Sequence, residues 1–174
     1  MDFRVIGLDP APFMHLYGLD ETELAGHGAI RMQAFEPRAM PGRVRLRDLE
    51  PGETALLVNH VHQPADTPYR ATHAIFVEEG ATAPRIVEGR LPGALARRLL
   101  SLRAFDTAHM MVDADVVEGA IARDAVMRLL DNPRVSYVQA HFARRGCYAA
   151  RIERACIAPS SVRFPASGKA QRAA

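Results

Sequence analysis

The sequence contains no tryptophan and few other aromatic residues, and its charges nearly cancel. Aromatic side chains make up 6% of the 174 residues, and 22 basic against 20 acidic side chains leave a formal net charge of +2. Nucleic-acid-binding domains usually carry basic stripes, and single-strand binders stack bases on groups of aromatic rings. We therefore expect no nucleic-acid partner.

Long apolar runs and disulfide candidates are also scarce. No stretch of about 18 apolar residues occurs, and the first residues lack the charged and apolar regions of a secretory signal. Cys147 and Cys156 are the only cysteines, and a chain of this length does not need disulfides to fold. These features predict a cytoplasmic protein with no membrane contact and no disulfide.

Motifs of common cofactor sites and catalytic centres are missing as well. The chain has neither the GxGxxG and GxxxxGK(S/T) loops of nucleotide-binding proteins nor the GxSxG and HExxH motifs of many hydrolases. A bound nucleotide is therefore not expected, and the sequence leaves the identity of any cofactor unknown.

What the chain does contain is enough apolar residues for one globular domain. Hydrophobic residues make up 48% of the sequence and charged residues 24%, which is an ordinary globular composition. We predict a single domain over residues 1–157. The polar, basic tail over 158–174 is expected to be disordered.

Segments with strand patterns outnumber segments with helix patterns and do not alternate with them regularly. Strands are predicted at FRVIG, AIRMQAF, residues 43–46, TALLVNHVH, AIFVEE, PRIVEG, LSLRAFD, MMVDADV, VSYVQAHFA and CYAARIERA. A short helix is predicted to start in LPGALARRLLSL. This order predicts an α+β fold with a largely antiparallel sheet.

Two further helices are predicted from their capping signals and their periodicity. Asp20 and Glu23 have the spacing of a capping box at the start of a short helix. The main helix is predicted over 116–131, where apolar residues recur at helical spacing. Asp115 and Glu118 have capping-box spacing before it, so we expect Asp115 to cap the helix rather than to bind a cation.

The last two strands are predicted to form a hairpin with a polar face. Gly146 suits the left-handed position of a three-residue turn closed by Ala143 and Cys147. The core face of this register carries Val138, Ala140, Phe142, Tyr148, Ala150 and Ile152. The opposite face carries Tyr137, Gln139, His141, Cys147, Arg151 and Glu153. His141 and Cys147 become diagonal neighbours on this polar face.

The pair formed by His141 and Cys147 has two interpretations. In a catalytic pair, His141 lowers the pKa of the Cys147 thiol, and a polar group such as Gln139 orients the imidazole ring. In a structural pair, the cysteine is a small, partly buried apolar side chain and the histidine forms local hydrogen bonds.

The segment NHVHQPADTPYRATH concentrates polar side chains around the end of a strand. His60 and His62 fall on one strand face and are weak candidates for metal ligands, with Asp66, His73 or His141 available as a third ligand. Alternatively, these rings are solvated or locally hydrogen-bonded. Because two histidines alone do not define a site, we assign no metal from the sequence.

Arginines near these polar segments are candidates for binding an anion. Arg70, Arg103 and Arg151 can each hold a carboxylate or a phosphate through two hydrogen bonds. Arg144 and Arg145 are assigned instead to a solvated hairpin tip.

Three stretches of the chain together resemble a known bacterial family: NHVHQPADTPYRATHAIFV, SLRAFDTAHMMVDADVVEG and VSYVQAHFARRGCYAARIERA. The family is a domain of unknown function, number 1203, and the likeness extends from about Phe3 to Ala155. The blocks HQPADTPYR and RGCYAARI are its most specific parts. The resemblance implies no activity, substrate or cofactor.

The family pattern also bears on the choice between a pocket and a metal site. It agrees with this chain at His62, Gln63, Pro64, Asp66, Pro68, Tyr69, Arg70, Arg103, Asp113, His141, Gly146, Cys147 and Tyr148. Family members often have tyrosine in place of His60, and they have no histidine at the positions of His73 and His109. The resemblance therefore favours a polar pocket over an HxH metal site.

We expect the loop 62–70, the segment 103–113 and the polar hairpin face to meet around a pocket for a small anionic metabolite. The predicted ligand-binding residues are His62, Asp66, Tyr69, Arg70, Arg103, Asp113 and Arg151. One alternative is a small enzyme with Cys147 as nucleophile and His141 as base. Another is a non-catalytic interaction module that forms a homodimer.

Overall fold

Two antiparallel sheets and three α-helices make up the fold over residues 2–155, the part of the chain that the computed structural model describes. In chain order the elements are β1 (Phe3–Ile6), α1 (Glu21–Gly26), β2 (Ile30–Gln33), β3 (Thr54–Gln63), β4 (Ala71–Glu78), β5 (Ile86–Glu88), α2 (Gly93–Ala96), β6 (Leu99–Phe105), β7 (Met111–Glu118), α3 (Ala122–Asp131), β8 (Tyr137–Phe142) and β9 (Tyr148–Arg154). Short 3-10 helices cover Ala11–Leu16 and Gly119–Ile121. The predicted α+β class is confirmed.

The two sheets differ in size. The larger sheet has the strand order β5-β1-β9-β8-β6-β7, and the smaller sheet has the order β2-β3-β4. Every pairing between these strands is antiparallel. The predicted antiparallel character is therefore confirmed.

The larger sheet is covered on one face by α3. The core on that side includes Leu100, Leu102, Ala104, Val138, Ala140, Ile152, Val126, Leu129 and Leu130. Burying each of the larger side chains contributes about 1.5–3 kcal/mol. A second core joins the smaller sheet to the larger one through Leu56, Val58, Ile75, Val77 and Tyr148. The site described below lies beside this second core.

The main helix begins later than predicted. Residues 116–118 continue β7 because they extend its ladder with β6, and α3 starts only at Ala122. Asp115 is therefore a strand residue, and the prediction that it caps the helix is wrong. Its Oδ2 accepts a hydrogen bond of 2.6 Å from Arg128 Nη2 instead. The capping-box spacing of Asp115 and Glu118 indicated a helix start, but both residues pair with β6 and remain in the strand.

Predictions for the shorter elements have mixed outcomes. The capping box of α1 is confirmed, with the Asp20 side chain accepting from Glu23 N and the Glu23 side chain accepting from Asp20 N. Residues 43–46 form no strand; the loop makes only isolated bridges at Gly42 and at Pro41. The predicted tail over 158–174 and Cys156 lie outside the described residues.

A β-bulge changes the register of the terminal hairpin. The predicted pairs Ala140–Ala150 and Val138–Ile152 are confirmed, but His141 pairs with Tyr148, so that Ala149 is the extra residue. The predicted pairing of Phe142 with Tyr148 is therefore wrong. Tyr148 shares the face of His141 instead of the core face, because one inserted residue reverses the alternation of the residues that follow it.

The hairpin turn is also one residue longer than predicted. Phe142 N donates a hydrogen bond of 3.0 Å to Cys147 O, which makes Phe142 and Cys147 the closing pair. Gly146 has a φ of 73° and its N–H donates to Phe142 O at 2.8 Å. The left-handed conformation predicted for Gly146 is confirmed.

None of the helices within residues 2–155 is both long and apolar enough to cross a lipid bilayer.

Candidate functional site

Three histidines from different strands lie together between the two sheets. The rings of His62 and His73 stack with centroids 4.6 Å apart and planes 3° apart. The His141 ring stands edge-on to both, with centroids 5.0 Å from His62 and 5.4 Å from His73. One ring nitrogen of each residue lies within 4.8 Å of one from each of the others. We call these three residues the histidine cluster.

Strand irregularities bring these side chains together. Val61 pairs with Thr72 and Gln63 pairs with Ala71, so His62 is the extra residue of a bulge in β3. Bulges redirect side chains and are frequent next to functional sites. On β8, His141 reaches the cluster from the larger sheet, opposite Tyr148. The Tyr148 ring stacks on His62 at 5.3 Å and closes one side of the cluster.

Gln139 connects two of the three histidines through its amide group. Its Nε2 donates to the backbone oxygen of His62 at 3.0 Å, which fixes the orientation of the amide. Its Oε1 then accepts from His62 Nδ1 at 2.9 Å and lies 3.3 Å from His141 Nε2. His141 Nδ1 donates to Gly146 O at 3.0 Å. Gln139 was predicted to orient the His141 ring, and the structure places it in contact with both rings.

The surroundings of the cluster favour neutral imidazoles. Burial lowers the pKa of His62 to about 4 and the pKa of His141 to about 3. Burial and, next, the charge of Arg103 lower the pKa of His73. At neutral pH each ring therefore carries one proton and offers one nitrogen lone pair.

Arg103 is the predicted anion-binding arginine that lies near the cluster. It pairs with Gln139 across β6 and β8, and its charge lowers the pKa of each of the three histidines. It is half-buried, and desolvation lowers its own pKa. Within residues 2–155 its guanidinium has no recorded hydrogen bond or ion pair, so its donors are available to an anion.

A cleft of about 830 Å³ opens beside His73. Six arginines line it, and Glu118 is the acidic residue among the lining residues. The arginines are Arg38, Arg43, Arg97, Arg98, Arg144 and Arg145. Apolar side chains that include Leu57, Phe76 and Phe142 form other parts of the wall. We call this space the arginine cleft.

Cys147 lines the arginine cleft but does not pair with His141. Its Sγ lies 3.0 Å from Nη2 of the buried Arg43, whose Nε donates to Tyr148 O at 2.9 Å. Because the bulge at Ala149 puts Tyr148 beside His141, Cys147 instead opposes Phe142. The prediction that Cys147 and His141 share a strand face is therefore wrong.

Three predicted ligand residues of the loop 62–70 are exposed. Asp66 and Arg70 point to solvent, and an Arg70 Nη1 donor is used by Pro64 O. Tyr69 is 36% exposed and contacts Phe105 edge-on at 6.0 Å. These side chains do not join the histidine cluster, because the loop turns away after His62 and Gln63.

The remaining predicted residues are engaged elsewhere. Asp113 pairs with Arg128 of α3 at 3.4 Å, on the opposite face of the sheet from Arg103. The Arg151 guanidinium lies 3.8 Å above the Tyr137 ring, and its Nε donates to Glu153 Oε2 at 3.1 Å. Both residues therefore interact with oppositely charged side chains of the protein itself.

His60, the second weak metal candidate, lies outside the histidine cluster. Its ring contacts Phe13 at 5.6 Å and Tyr148 at 6.1 Å, and burial lowers its pKa. The HxH pair therefore splits, because His62 joins His73 and His141 whereas His60 contacts Phe13 and Tyr148.

Sequence reasoning named His73 or His141 as a possible third ligand beside His60 and His62, but it missed the arginine cleft. Arg144 and Arg145 were assigned to a solvated tip, and the loop containing Arg38 and Arg43 offered no periodic signal. Arg43 is the clearest example of a cleft residue that sequence reasoning missed, because a charged side chain that is only 2% exposed is not expected from the sequence. Its burial depends on the hairpin backbone, which is distant in sequence.

The fold and these side chains define an antiparallel α+β protein with a histidine cluster between its sheets and an arginine-lined cleft beside it. A family model described as "Protein of unknown function (DUF1203)" matches residues 39–154. The match covers about two thirds of the chain, so the chain belongs to this family, as the resemblance predicted. No curated protein and no solved structure matches the chain.

Proposed function

We propose that this protein binds a small anionic metabolite in the arginine cleft. The observation that carries the proposal is the concentration of six arginines around one cleft in a chain whose formal net charge is only +2. The cleft volume of about 830 Å³ lies within the range of roughly 300–1,000 Å³ that is common for small-molecule sites.

Several of these arginines have donors to spare. Within residues 2–155 no hydrogen bond or ion pair is recorded for the side chains of Arg38, Arg144 and Arg145, all of which are exposed. Arg97 and Arg98 share the carboxylate of Asp48, at 3.2 Å and 2.6 Å. The carboxylates of Asp48 and Glu118 do not balance six guanidinium groups, so an added anion would reduce the repulsion between them.

The walls also suggest which kind of anion fits. Arginine holds carboxylates and phosphates through paired N–H donors. Phe76, Phe142 and Leu57 add apolar surface to the same cleft. An organic molecule with a phosphate or several carboxylates and a small apolar part matches this combination.

The proposal is tested by anion binding to the double variant R144Q/R145Q. The control R90Q/R134Q removes the same charge from exposed arginines outside the cleft lining. Calorimetry with pyrophosphate and with citrate, at constant ionic strength, measures the dissociation constants. We expect R144Q/R145Q to weaken binding about tenfold or more, because one hydrogen bond to a charged group contributes about 1.5–3 kcal/mol.

Equal weakening by R90Q/R134Q would show that only the net charge matters. Failure of both probes to bind the unmodified protein would contradict the proposed anion class.

Two earlier alternatives have less support. The enzyme hypothesis needs Cys147 next to His141 as its base, and the hairpin register separates them. The homodimer hypothesis stays a prediction.

A further inference from the structure

We propose that His62, His73 and His141 form a binding site for one divalent transition-metal ion, with Zn²⁺ as the reference ion. The site uses residues from β3, β4 and β8, and thereby links the two sheets. The metal proposal does not rest on the proposed anion binding. The histidine cluster and the lining of the arginine cleft have one residue in common, His73.

The first ligand atom is Nε2 of His62. Gln139 Nε2 is committed to the backbone oxygen of His62, so Gln139 Oε1 faces His62 Nδ1 as an acceptor. His62 Nδ1 must therefore carry the proton, which leaves the lone pair on Nε2. His62 Nε2 is buried and has no hydrogen-bond partner among the described residues.

The same reasoning assigns Nε2 of His141. His141 Nδ1 lies 3.0 Å from the carbonyl oxygen of Gly146, which can only accept, so Nδ1 carries the proton. Its Nε2 lone pair then faces Gln139 Oε1 at 3.3 Å, an acceptor against an acceptor. A cation beside Nε2 would relieve this unfavourable contact. Histidine ligands of metals commonly donate their other N–H to a backbone carbonyl, as His141 does here.

The third ligand comes from His73. Its Nδ1 is buried without a partner in the described part of the chain. Buried polar atoms normally have a partner, so an unpaired nitrogen on each of two stacked histidines is an exception that needs an explanation. A metal ion in contact with both nitrogens would explain why neither has a hydrogen-bond partner.

The ligand set also indicates the class of ion. Three neutral imidazoles without a thiolate or carboxylate suit Zn²⁺, Cu²⁺ or Ni²⁺ and not Mg²⁺ or Ca²⁺, which prefer oxygen ligands. Zinc bonds to histidine of about 2.0–2.1 Å in tetrahedral geometry place the nitrogens about 3.4 Å apart. One nitrogen of each ring lies within 4.8 Å of one from each of the others, so the three side chains would have to move closer together to bind the ion.

Three protein ligands leave the fourth position of a tetrahedral ion to solvent or an added ligand. His141 is fully buried, and His73 is the member of the histidine cluster that lines the arginine cleft, so the cluster is reached from the His73 side. Arg103 pairs across the strands with Gln139, whose amide oxygen contacts His62 and His141. An anion at the fourth position would compensate the combined positive charge.

The test is metal binding to the full chain after removal of bound metal with a chelator. Zn²⁺ is titrated in competition with a chromophoric chelator, and Co²⁺ is added separately to record its visible absorption bands. We expect one equivalent of Zn²⁺ and the intense Co²⁺ bands of a four-coordinate site. H62Q and H73Q should each weaken Zn²⁺ binding about 100-fold or more, since even a lost outer partner of a ligand costs 10–100-fold.

Two matched controls separate this site from adventitious binding. H60Q changes a half-buried histidine on the same strand as His62 that lies outside the cluster. H27Q removes the surface pair with His15, whose rings are 5.4 Å apart. Both variants should bind Zn²⁺ as the unmodified protein does, and urea unfolding of each metal-free variant establishes that it is folded.

Two results would overturn the proposal. One is the absence of stoichiometric Zn²⁺ and Co²⁺ binding by the unmodified protein, which would indicate that the unpaired nitrogens bind water instead. The other is binding that folded H73Q retains and H27Q loses, which would assign the metal to the surface pair. Neither result affects the anion-binding measurement with R144Q/R145Q.

Discussion

Gln139 fixes the geometry of the histidine cluster through a single amide group. It is 4% exposed, accepts from His62 Nδ1 and donates to His62 O. These two bonds cross from the larger sheet to the smaller one, where β3 is interrupted by its bulge. The tautomer of His62, and with it the nitrogen offered to a ligand, depends on this side chain.

Replacing Gln139 with leucine should destabilise the protein by about 1–3 kcal/mol, because His62 Nδ1 and His62 O would be left without partners. Urea unfolding at neutral pH, without added metal, measures the change. Q33L is the matched control, since exposed Gln33 makes one hydrogen bond, of 3.1 Å to Gly52 O, and should change stability by less than about 0.5 kcal/mol. Similar losses in both variants would contradict the assigned role of Gln139.

Among the elements, the β8–β9 hairpin has the largest effect on the site. Its bulge at Ala149 places Tyr148 next to His141, and its turn directs Arg144 and Arg145 into the lining of the arginine cleft. The turn depends on Gly146, whose φ of 73° is costly for residues with a Cβ atom.

G146A should destabilise the hairpin by about 1 kcal/mol through backbone strain alone, because a Cβ there meets no atom within 4 Å. Gly26 is the matched control: a Cβ there also meets open space, but the residue ends α1 without a positive φ. G26A should therefore be neutral or stabilising by up to about 1 kcal/mol. Thermal unfolding of both variants makes the comparison, and equal losses would argue against strain at Gly146.

At the scale of the whole molecule, the edge of the smaller sheet is held by a polar network. Glu79 accepts from Arg31 Nε and Nη2 at 2.9 Å and from Gly18 N at 2.9 Å. Arg31 also donates to Leu19 O and to Glu21. The network joins β2 and the end of β4 to the start of α1.

This network should make part of the stability depend on pH. The hydrogen bonds from Arg31 lower the pKa of Glu79 from 4.5 to about 2. Because the folded-state pKa is depressed, the contribution is complete above pH 4.5 and is lost as the pH falls toward 2. E79Q should lower stability by about 1–2 kcal/mol at pH 6, and the difference from the unmodified protein should shrink in acid.

Unfolding free energies between pH 2.5 and 6 check this expectation. The control E88Q removes an exposed carboxylate of β5 and should shift stability little at any pH. A difference between E79Q and the unmodified protein that stays constant with pH would contradict the proposed ionic origin.

The sequence predicted the elements better than it predicted the site. Strand alternation located β3, β4, β8 and β9, and the capping box located α1. The prediction that Asp115 caps a helix was wrong because the capping signal is local, whereas its place in β7 depends on pairing with β6. The pairing of His141 with Cys147 failed for a related reason, since alternation does not reveal a bulge.

The sequence by itself determined the antiparallel α+β class, the left-handed turn at Gly146 and the residues of the HQPADTPYR block that point to the family. The fold class and the turn depend on side-chain periodicity and on local backbone preferences, whereas the family rests on the resemblance of specific residues. Only the tertiary structure decided that His62, His73 and His141 meet, that Asp113 lies on the other sheet face, and that distant arginines line one cleft. The physical reason is that these contacts join residues far apart in the chain, and one inserted strand residue changes which face each side chain occupies.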